Sequence, residues 1–400
     1  MTDPMQQARA LFLEGNAHVE GGRLDPARAC FEAARALAPG RPSVLANLGV
    51  TLSRLGRWRE ATLHLEASLA LDPAHADAWL ALGRCRGRLD ADAAALLAFE
   101  RALALDDTLA EAWSARGDLL RDAQRLDEAA TCFERALALG ADATLHHFYL
   151  ASVRGGAAPP PPRAYVETLF DQYAGDFESH LVQDLRYQAH ETLLRPLMEQ
   201  GRRFGLVLDL GCGTGLCGRL IRPQAQVVDG VDLSRSMVEQ ARAGGAYRRV
   251  VHADLLPFLQ DAQEPVDLVL AADVFIYVGA LDPVFAAVRR RLSSGGCFAF
   301  SVELERGDAD LRLLPSLRYA HSVAYIRRLA AEHGFRLHTL WEAPLRQDQG
   351  TPVDGLYIHL EPAPQEAPQA SGAASTPTVS PAPVAVRMRP GGPAPGITTR

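Results

Sequence analysis

The residues best suited to chemistry stand in one short run, Asp209-Leu-Gly-Cys-Gly-Thr-Gly215. Glycine occupies positions 211, 213 and 215, and a backbone without Cβ atoms lets a ligand approach the chain closely. Asp209 ends an apolar strand predicted at 207–210, where its carboxylate can bind a ligand ammonium group by a charge-assisted hydrogen bond. A helix is predicted at 216–221. The glycine turn and the acid together favour a zwitterionic amino-acid ligand over a pyrophosphate.

A dinucleotide site is the main alternative for this turn. Gly213-Thr-Gly215-Leu-Cys-Gly218 matches the pattern G-x-G-x-x-G, although a single match of this kind is weak. The first glycine after the strand is Gly211, and counting from it places Leu216 where the third glycine should stand. The register therefore disfavours a nicotinamide-dependent oxidoreductase.

Three further acids follow predicted strands in chain order. Asp232 lies 17 positions (232 − 215) after the last glycine of the turn, near the place where nucleotide-binding sheets hold ribose hydroxyls. Asp254 follows the next strand, where a carboxylate can take an adenine amino group, and Asp273 follows the strand after that. The three strands are predicted at 227–231, 249–252 and 266–271. All four acids thus occupy carboxyl ends of strands, where open α/β sheets bind ligands.

The first part of the chain repeats with a period of 34 residues (49 − 15). Glycine recurs at 15, 49, 83 and 117, alanine recurs at 27, 61, 95 and 129, and a bulky apolar residue recurs as Phe31, Leu65, Phe99 and Phe133. This pattern is typical of tetratricopeptide repeats, in which pairs of helices stack into a solenoid. The small residues allow the two helices of a repeat to approach closely. A last helix predicted at 144–153 caps the stack.

With these motifs the chain resembles the class I S-adenosylmethionine (SAM)-dependent methyltransferases, and within them the members that carry tetratricopeptide repeats. The resemblance covers most of the chain; beside the glycine turn and Asp232 it includes segments at 170–181, 270–279, 292–300 and 318–322. It implies an α/β chain: an all-α repeat solenoid followed by a Rossmann-like domain with a seven-stranded, mostly parallel sheet. It also implies SAM as the cofactor.

The residues around the strand ends are the predicted cofactor site. Ser234 caps the next helix, Met237 supplies an apolar wall, and Asp254 is open to a second interpretation as a helix N-cap. The cysteines at 212 and 217 are interpreted as small fillers near the turn. The predicted cofactor-binding residues are Tyr187, Asp209, Gly211, Cys212, Gly213, Thr214, Gly215, Asp232, Leu233, Ser234, Met237, Asp254, Leu255 and Ala272.

Three residues are predicted to act in catalysis. Tyr319 and His321, placed on a loop after the fifth strand, are candidates for a base or for orienting the acceptor. Asp273 could contact the methionine part of the cofactor, orient a substrate or cap a turn. A base is needed only if the acceptor keeps its proton at neutral pH. No group of residues has convincing metal-ligand spacing, so no metal site is predicted.

The segment before the sheet is expected to form a lid. Tyr173, Phe177, His180 and Tyr187 lie where related enzymes fold helices over the cofactor, although Phe177 is equally compatible with packing against the sheet. After the fourth strand the chain has Ala272-Asp-Val-Phe275 in place of the Asn/Asp-Pro-Pro-aromatic motif of many amine and amide methyltransferases. This departure disfavours nucleic-acid bases and glutamine as acceptors.

Composition narrows the classes of function. The chain is 48% hydrophobic and 22% charged with a net charge of −7, and it has no long Lys/Arg run, so nucleic acid is not an expected partner. Six dispersed cysteines without a C-x-x-C pair indicate a reducing, cytoplasmic compartment. The N-terminus lacks the features of a signal peptide, and no apolar run is long enough to span a membrane.

These observations predict four parts: tetratricopeptide repeats at 1–154, a proline-rich linker at 155–162, a methyltransferase domain at 163–361 and a disordered tail at 362–400. The solenoid groove is expected to bind a protein or peptide. Asn16 and Asn47 match the asparagines of a carboxylate clamp, but its basic residues are missing. The leading hypothesis is a SAM-dependent methyltransferase whose repeats recruit a partner or substrate; the alternative is a non-catalytic scaffold. A small molecule, a polyketide or lipid intermediate, and a protein all remain possible acceptors.

Overall fold

The computed structural model of the chain describes residues 3–156, 159–173, 187–261, 264–348 and 350–364. The predicted lid residues Phe177 and His180, the side chain of Tyr173 and nearly all of the predicted tail lie outside the described residues. No helix within the described ranges is both long enough and apolar enough to cross a membrane.

The first part of the described chain is helical. Gly83 in the first helix of the third repeat faces Phe99 in the second, and a Cβ atom added to Gly83 would lie 2.5 Å from the Phe99 ring. The equivalent distance in each of the other repeats is 2.6 Å, so the 34-residue period marks a recurring helix–helix contact. The helices are α1 Pro4–Glu20, α2 Leu24–Leu37, α3 Pro42–Arg54, α4 Trp58–Leu71, α5 Ala76–Gly87, α6 Asp92–Leu105, α7 Ala110–Asp122, α8 Leu126–Ala138 and α9 Ala143–Arg154.

The second part is built on a sheet. Its strands are β1 Phe204–Leu210, β2 Ala225–Asp232, β3 Arg249–His252, β4 Val266–Ala271, β5 Leu292–Leu304, β6 Leu311–Leu313, β7 Tyr319–His321, β8 Phe335–Asp348 and β9 Thr351–Pro362. Seven of them lie in the order β3–β2–β1–β4–β5–β9–β8, and among these seven only β9 runs antiparallel to its neighbours. The helices are α10 Arg163–Tyr173, α11 Ala189–Glu199, α12 Leu216–Ile221, α13 Arg235–Ala243, α14 Leu255–Asp261, α15 Asp282–Arg291 and α16 Val323–Glu332.

Both faces of this sheet are buried. Val207 and Leu268 belong to one hydrophobic cluster, which includes α11, while the adjacent Leu208 and Val269 belong to the opposite cluster, which includes α15 and α16. Successive residues of a strand point to opposite faces, so strands covered on both sides are apolar throughout. The predicted Rossmann-like architecture is therefore confirmed.

The sheet also carries a hairpin that the sequence analysis did not predict. Strand β7 pairs with Glu303 and Leu304 at the end of β5, and β6 pairs with β7, so the sheet has nine strands among the described residues rather than seven. Tyr319 and His321 form the ends of β7, which corrects their expected position on a loop. The hairpin thus extends the sheet at the carboxyl end of β5.

The β6–β7 hairpin also joins the two parts of the chain. Leu313, Leu317 and Tyr319 share one buried cluster with Phe148 and Tyr149 of α9. The rings of Tyr319 and Phe148 lie 6.3 Å apart, and Tyr319 donates a hydrogen bond to the carbonyl of Pro159 in the linker. The last repeat helix and the sheet are thus parts of one core.

The glycine contact gives a stability prediction for the helical part. Gly83→Ala is expected to destabilise the protein by about 1–3 kcal/mol, because the new methyl group overlaps the buried ring of Phe99. The measurement is urea denaturation followed by circular dichroism. Gly40→Ala is the control, since nothing lies within 4 Å of a Cβ at Gly40. Equal stability of the two variants would contradict this account of the repeat.

Candidate functional site

The sheet and α10 enclose a cavity of about 660 Å³ at the carboxyl ends of β1 to β4. It collects most of the residues that the sequence predicts to bind a cofactor, together with Asp273. Those that line it are Tyr187, Asp209, Gly211, Cys212, Gly213, Thr214, Asp232, Leu233, Met237, Asp254, Leu255, Ala272 and Asp273. Gly215, Ser234, Tyr319 and His321 do not line the cavity.

The glycine turn has the backbone shape that its composition suggests. Gly211, Gly213 and Gly215 have φ values of 61°, 52° and 97°, in the left-handed region that side chains rarely adopt. A Cβ at Gly211 would also lie 2.7 Å from the side chain of Val274, which lines the cavity as well. The turn therefore places bare backbone against the cavity and directs the chain into α12.

Asp232 connects the glycine turn to the end of β2. Its Oδ2 accepts a hydrogen bond from the Gly213 amide at 2.8 Å, and its Oδ1 accepts one from the Ser234 amide at 2.9 Å. The Ser234 Oγ accepts a hydrogen bond from the Met237 amide and so caps α13. The same hydroxyl donates a hydrogen bond to Asp171 of α10 at 2.5 Å. Each carboxylate oxygen keeps a second lone pair, so Asp232 still has acceptor capacity towards the cavity.

Asp209 is the most deeply buried acid of the site, with 1% of its surface exposed. Tyr247 donates a hydrogen bond to its Oδ2 at 2.7 Å. Burial raises the pKa of Asp209 to about 7, against the opposing effect of the Tyr247 hydrogen bond. An ammonium group placed beside Asp209 would favour its ionised form.

Asp254 lies at the cavity wall and at the start of a helix. It lines the cavity, and its Oδ1 also accepts a hydrogen bond from the Leu256 amide in the first turn of α14, at 3.1 Å. Leu255 contributes to the same wall. The cap orients the carboxylate without using all of its acceptor positions.

Asp273 forms part of a buried ion cluster. Nη1 of Arg346 lies 2.9 Å from both of its carboxylate oxygens, and Nη2 of Arg346 lies 2.9 Å from Glu303. The Arg346 side chain is 3% exposed, and burial raises the pKa of Glu303. Asp273 itself has a φ of 58° and its amide donates to Ser301. Asp273 therefore lines the cavity as the partner of a buried cation.

His321 does not reach the cavity, which corrects its prediction as a catalytic base. It is 0% exposed, and its Nε2 donates to the carbonyl of Gly279 at 2.7 Å. Burial lowers the pKa of His321 to about 4, so the ring is neutral at physiological pH. Its Nδ1 is buried without a hydrogen bond among the described residues. His321 is a core residue behind the site.

Tyr319 also acts away from the cavity, contrary to its predicted catalytic role. It is fully buried between α9 and the sheet, and burial raises the pKa of its phenol. The cysteines fit the interpretation as fillers, because Cys212 and Cys217 are buried and burial raises the pKa of both thiols. A thiol kept protonated is a poor nucleophile.

The segment before the sheet contributes to the cavity wall. Linker residues Pro160 and Pro161 and helix α10 line it, and Phe170 of α10 packs edge-on against Tyr277 at 5.1 Å. Tyr187 lies at the other side, where its hydroxyl reaches the Ala272 carbonyl at 3.5 Å. The predicted position of Tyr187 beside the cofactor residues is consistent with this geometry.

Several cavity residues were missed by the sequence analysis. Arg318, Arg346, Tyr277 and Asp348 all line the cavity, and Tyr247 lies behind Asp209. Tyr277 and Arg318 lie in the segments 270–279 and 318–322 that carry the family resemblance, but neither was given a role. Arg346, Asp348 and Tyr247 lie outside those segments, and Arg346 stands 73 positions from its partner Asp273. A shift of register in the β8–β9 pairing occurs between Pro344 and Arg346, and such irregularities redirect side chains near sites. Only the pairing of distant strands brings these groups together.

Comparisons with known proteins identify both parts of the chain. The family described as "Methyltransferase domain" matches residues 208–298, and families described as "Tetratricopeptide repeat" match residues 46–110 and 110–142. The helical repeats predicted from the 34-residue period are thereby confirmed.

The curated relatives share one description, malonyl-[acyl-carrier protein] O-methyltransferase. The chain is 30% identical over 179 residues to that of Salmonella typhimurium, covering 43% of this chain and 67% of the relative. It is 34% identical over 147 residues to that of Geobacter sulfurreducens, covering 35% of this chain and 53% of the relative. The chain thus spans between about half and two thirds of the length of these relatives.

Among solved structures, the chain is similar to magnesium protoporphyrin IX methyltransferase from Synechocystis PCC 6803 with bound SAM. The TM-score is 0.40 and the sequence identity is 17%, with 52% of this chain and 100% of that chain covered.

The buried ion cluster gives a prediction about stability and pH. Arg346→Met is expected to destabilise the protein by about 3–5 kcal/mol at pH 8, because it leaves two buried carboxylates without their cation. Burial already raises the pKa of Glu303, and loss of Arg346 raises it further, so the folded variant takes up protons as the pH falls. The loss of stability should therefore shrink between pH 8 and pH 5.5 in urea denaturation.

Arg306→Met is the matched control for this experiment. Arg306 also pairs with two carboxylates, Glu342 and Asp354, but all three side chains are at least half exposed. Exposed pairs contribute little to stability, so this variant should unfold like the wild type at both pH values. A loss in Arg346→Met that is small or independent of pH would contradict the proposed cluster.

Proposed function

Because the chain belongs to the SAM-dependent methyltransferases and carries tetratricopeptide repeats, we propose that it transfers a methyl group from SAM to a carboxylate oxygen of an acyl thioester. The observation that carries the proposal is Arg318, a cationic side chain on the wall of a cavity whose other lining groups match a SAM site. The relatives named malonyl-[acyl-carrier protein] O-methyltransferase support the choice of a carboxylate acceptor.

The cofactor site is assigned from the chemistry of each strand end. Asp209 binds the amino group of SAM, Asp232 binds the ribose hydroxyls, and Asp254 with Leu255 binds the adenine. Met237 is buried at the wall and supplies apolar contact. SAM supplies a methyl group on a sulfonium, which is a good leaving group.

Arg318 is proposed to bind the acceptor carboxylate. Its Nε lies 3.4 Å from the Tyr277 hydroxyl, and its Nη1 lies 3.2 Å from the half-exposed Asp348. Nη2 has no hydrogen bond within the described part of the chain. Arg346, by contrast, is already paired with Asp273 and Glu303. Arg163 also lines the cavity, but its side chain is 60% exposed and its Nε lies 3.9 Å from Glu167. Arg318 is therefore the more enclosed cavity cation with capacity for a further anion, and a guanidinium binds carboxylates in a planar, two-point fashion.

A carboxylate acceptor removes the need for a general base in the cavity. A carboxylate is ionised at neutral pH, so its oxygen carries no proton that must be removed. The oxygen lone pair forms the new carbon–oxygen bond while the methyl–sulfur bond breaks, and the bonding electrons remain on sulfur. Asp273 is held by Arg346 and His321 is buried behind the wall, so neither is required as a base. The protein contributes by aligning acceptor and methyl group, an effect that reaches about 7–11 kcal/mol in well-oriented reactions.

Methyl transfer to a malonyl thioester tests this function. The wild type is expected to form a methyl ester, detected by mass spectrometry, and Arg318→Gln is expected to raise the KM for the malonyl compound at least tenfold. The affinity for SAM, measured by calorimetry, should be unchanged in that variant. The reason is the loss of one charged, two-point contact with the acceptor, for which a tenfold effect corresponds to about 1.4 kcal/mol.

Two control variants give the result its meaning. Arg312 lies in the same hairpin, is half exposed and pairs with Glu305 outside the cavity lining. The Arg312→Gln variant should therefore behave like the wild type. Asp232→Ala should lose SAM binding and turnover together. Failure of the wild type to methylate any malonyl thioester, or an unchanged KM in Arg318→Gln, would reject the carboxylate acceptor.

We further propose that the repeats recruit the protein that carries the acceptor. The first helices of neighbouring repeats contact each other along one face, where Asn47 donates to Asn16 at 2.7 Å. Leu13 lies one turn before Asn16 on this face of α1 and is 57% exposed. The last repeat is different, because its core is shared with the β6–β7 hairpin. The surface free for a partner therefore belongs to the earlier repeats.

Paired substitutions of exposed leucines test recruitment. Leu13→Asp should raise the KM for malonyl-[acyl-carrier protein] several-fold but leave the KM for a small malonyl thioester unchanged, because only the carrier protein touches the repeats. Leu63→Asp is the control, since Leu63 is 67% exposed on α4, a second helix of a repeat. Deleting residues 1–154 is a poorer test because it removes Phe148 and Tyr149, which cover Tyr319. Identical kinetics of the two leucine variants would contradict recruitment through this face.

A further inference from the structure

Tyr247 occupies a space that three glycines leave open behind the cofactor turn. A Cβ atom would lie 2.2 Å from the Tyr247 ring at Gly218 in α12, 3.0 Å from it at Gly215, and 3.1 Å from it at Gly230 in β2. The third glycine of the G-x-G-x-x-G match, Gly218, is therefore explained by contact with Tyr247 rather than by a dinucleotide. The ring fills the corner between the turn, α12 and β2.

The hydroxyl of Tyr247 is bonded on both sides. It donates to Oδ2 of Asp209 at 2.7 Å and accepts from the amide of Gly218 at 3.2 Å. Gly218 lies in the first turn of α12, whose amides have no partner within the helix. The phenol thus bridges the Gly218 amide and the Asp209 carboxylate, and this pair of hydrogen bonds fixes the position of Asp209 Oδ2.

We propose that Tyr247 is a positioning residue of the SAM site, which holds the Asp209 carboxylate ionised and oriented for the amino group of SAM. The inference rests on the proposed assignment of Asp209 to that group. Tyr247 is absent from the cavity lining and acts only through Asp209. A carboxylate with a strong donor on one oxygen presents its other oxygen to the cavity in a fixed direction.

The surroundings of Asp209 make this support necessary. Its pKa is raised to about 7, mainly by burial and to a smaller extent by the nearby Asp232. The hydrogen bond from Tyr247 and the Gly218 amide act in the opposite direction. Cys212 and Cys217 also face this region, but burial raises the pKa of both thiols, so they remain neutral near pH 7. Asp209 is therefore close to its midpoint at neutral pH, where one hydrogen bond decides its charge.

SAM binding should consequently depend on pH in a defined way. The carboxylate form of Asp209 binds the ammonium group, so affinity falls as the pH drops below about 7. Affinity also falls at high pH, because α-amino groups lose their proton near pH 7.7–8.0. The ratio of wild-type to variant affinity at each pH cancels this second effect, since the ligand is the same.

Tyr247→Phe keeps the ring and removes only the hydroxyl. Losing a hydrogen bond to a carboxylate raises its pKa by about one unit or more. Calorimetry with SAM should give roughly tenfold weaker binding than the wild type at pH 6, and the ratio should approach one by pH 9, where Asp209 is ionised in both proteins. A role confined to packing would weaken binding by the same factor at every pH.

Tyr325→Phe is the matched control. The Tyr325 hydroxyl also accepts a backbone hydrogen bond, from Leu281 at 2.8 Å, and Tyr325 is buried in α16 away from the cavity lining. This variant should bind SAM like the wild type at all pH values. In Asp209→Asn, which cannot ionise, the loss of affinity at low pH should disappear, and adding Tyr247→Phe should no longer change the pH profile.

The outcomes separate this inference from the proposed function. A pH-independent ratio for Tyr247→Phe overturns the role of Tyr247 even if the wild type binds SAM and methylates its acceptor. The proposed role of Tyr247 is also overturned if Asp209→Asn still loses affinity for SAM at low pH. The Asp209→Asn variant decides the question if Tyr247→Phe does not fold. Absence of SAM binding in the folded wild type would instead reject the cofactor assignment.

Discussion

The site depends on one constraint of parallel sheets: all the strands end at the same edge. Asp209, Asp232, Asp254 and Asp273 follow four strands that lie side by side in the order β3–β2–β1–β4, so their carboxylates surround one cavity. The hydrogen bond from Gly213 to Asp232 then joins the turn after β1 to the end of β2. The amide of Cys212 also donates to the carbonyl of Val231 at 3.0 Å, so two hydrogen bonds fix the glycine turn relative to the second acid.

Bringing four acids together at an apolar edge has an electrostatic cost, which three of them offset through different partners. Asp209 has the phenol of Tyr247, Asp232 has two backbone amides, and Asp273 has the guanidinium of Arg346. Asp209 and Asp232 retain pKa values raised by burial. A ligand that carries a sulfonium and an ammonium group compensates this negative charge. This is a physical reason for the cavity to bind SAM in preference to an anionic dinucleotide.

The hairpin β6–β7 connects this chemistry to the repeats. Tyr319 and Leu317 face the last repeat helix, whereas the adjacent Arg318 lines the cavity. The residue proposed to bind the acceptor is thus held in place by packing against α9. The repeats therefore support the site in addition to offering a surface for a partner. A movement of α9 would displace Leu317 and Tyr319, and with them Arg318, which is covalently bonded to both.

The sequence by itself determined the features that depend on local pattern. A 34-residue period specifies helix pairs because each glycine contacts a bulky residue 16 positions later, as Gly83 contacts Phe99. The strand–turn–helix at Asp209 is formed by residues that are adjacent in the sequence. The tertiary structure decided which distant groups share the cavity. Arg346 reaches Asp273 through β9 and β8, and Tyr247 reaches Asp209 through space left by glycines on three elements. Likewise, the sequence made His321 a reasonable candidate for a general base, because nothing in the sequence shows that this side chain is buried in β7 behind the cavity wall. Contacts within one element follow from the period of the chain, whereas contacts between strands far apart depend on register and on the alternation of side chains across the sheet, which no local pattern records.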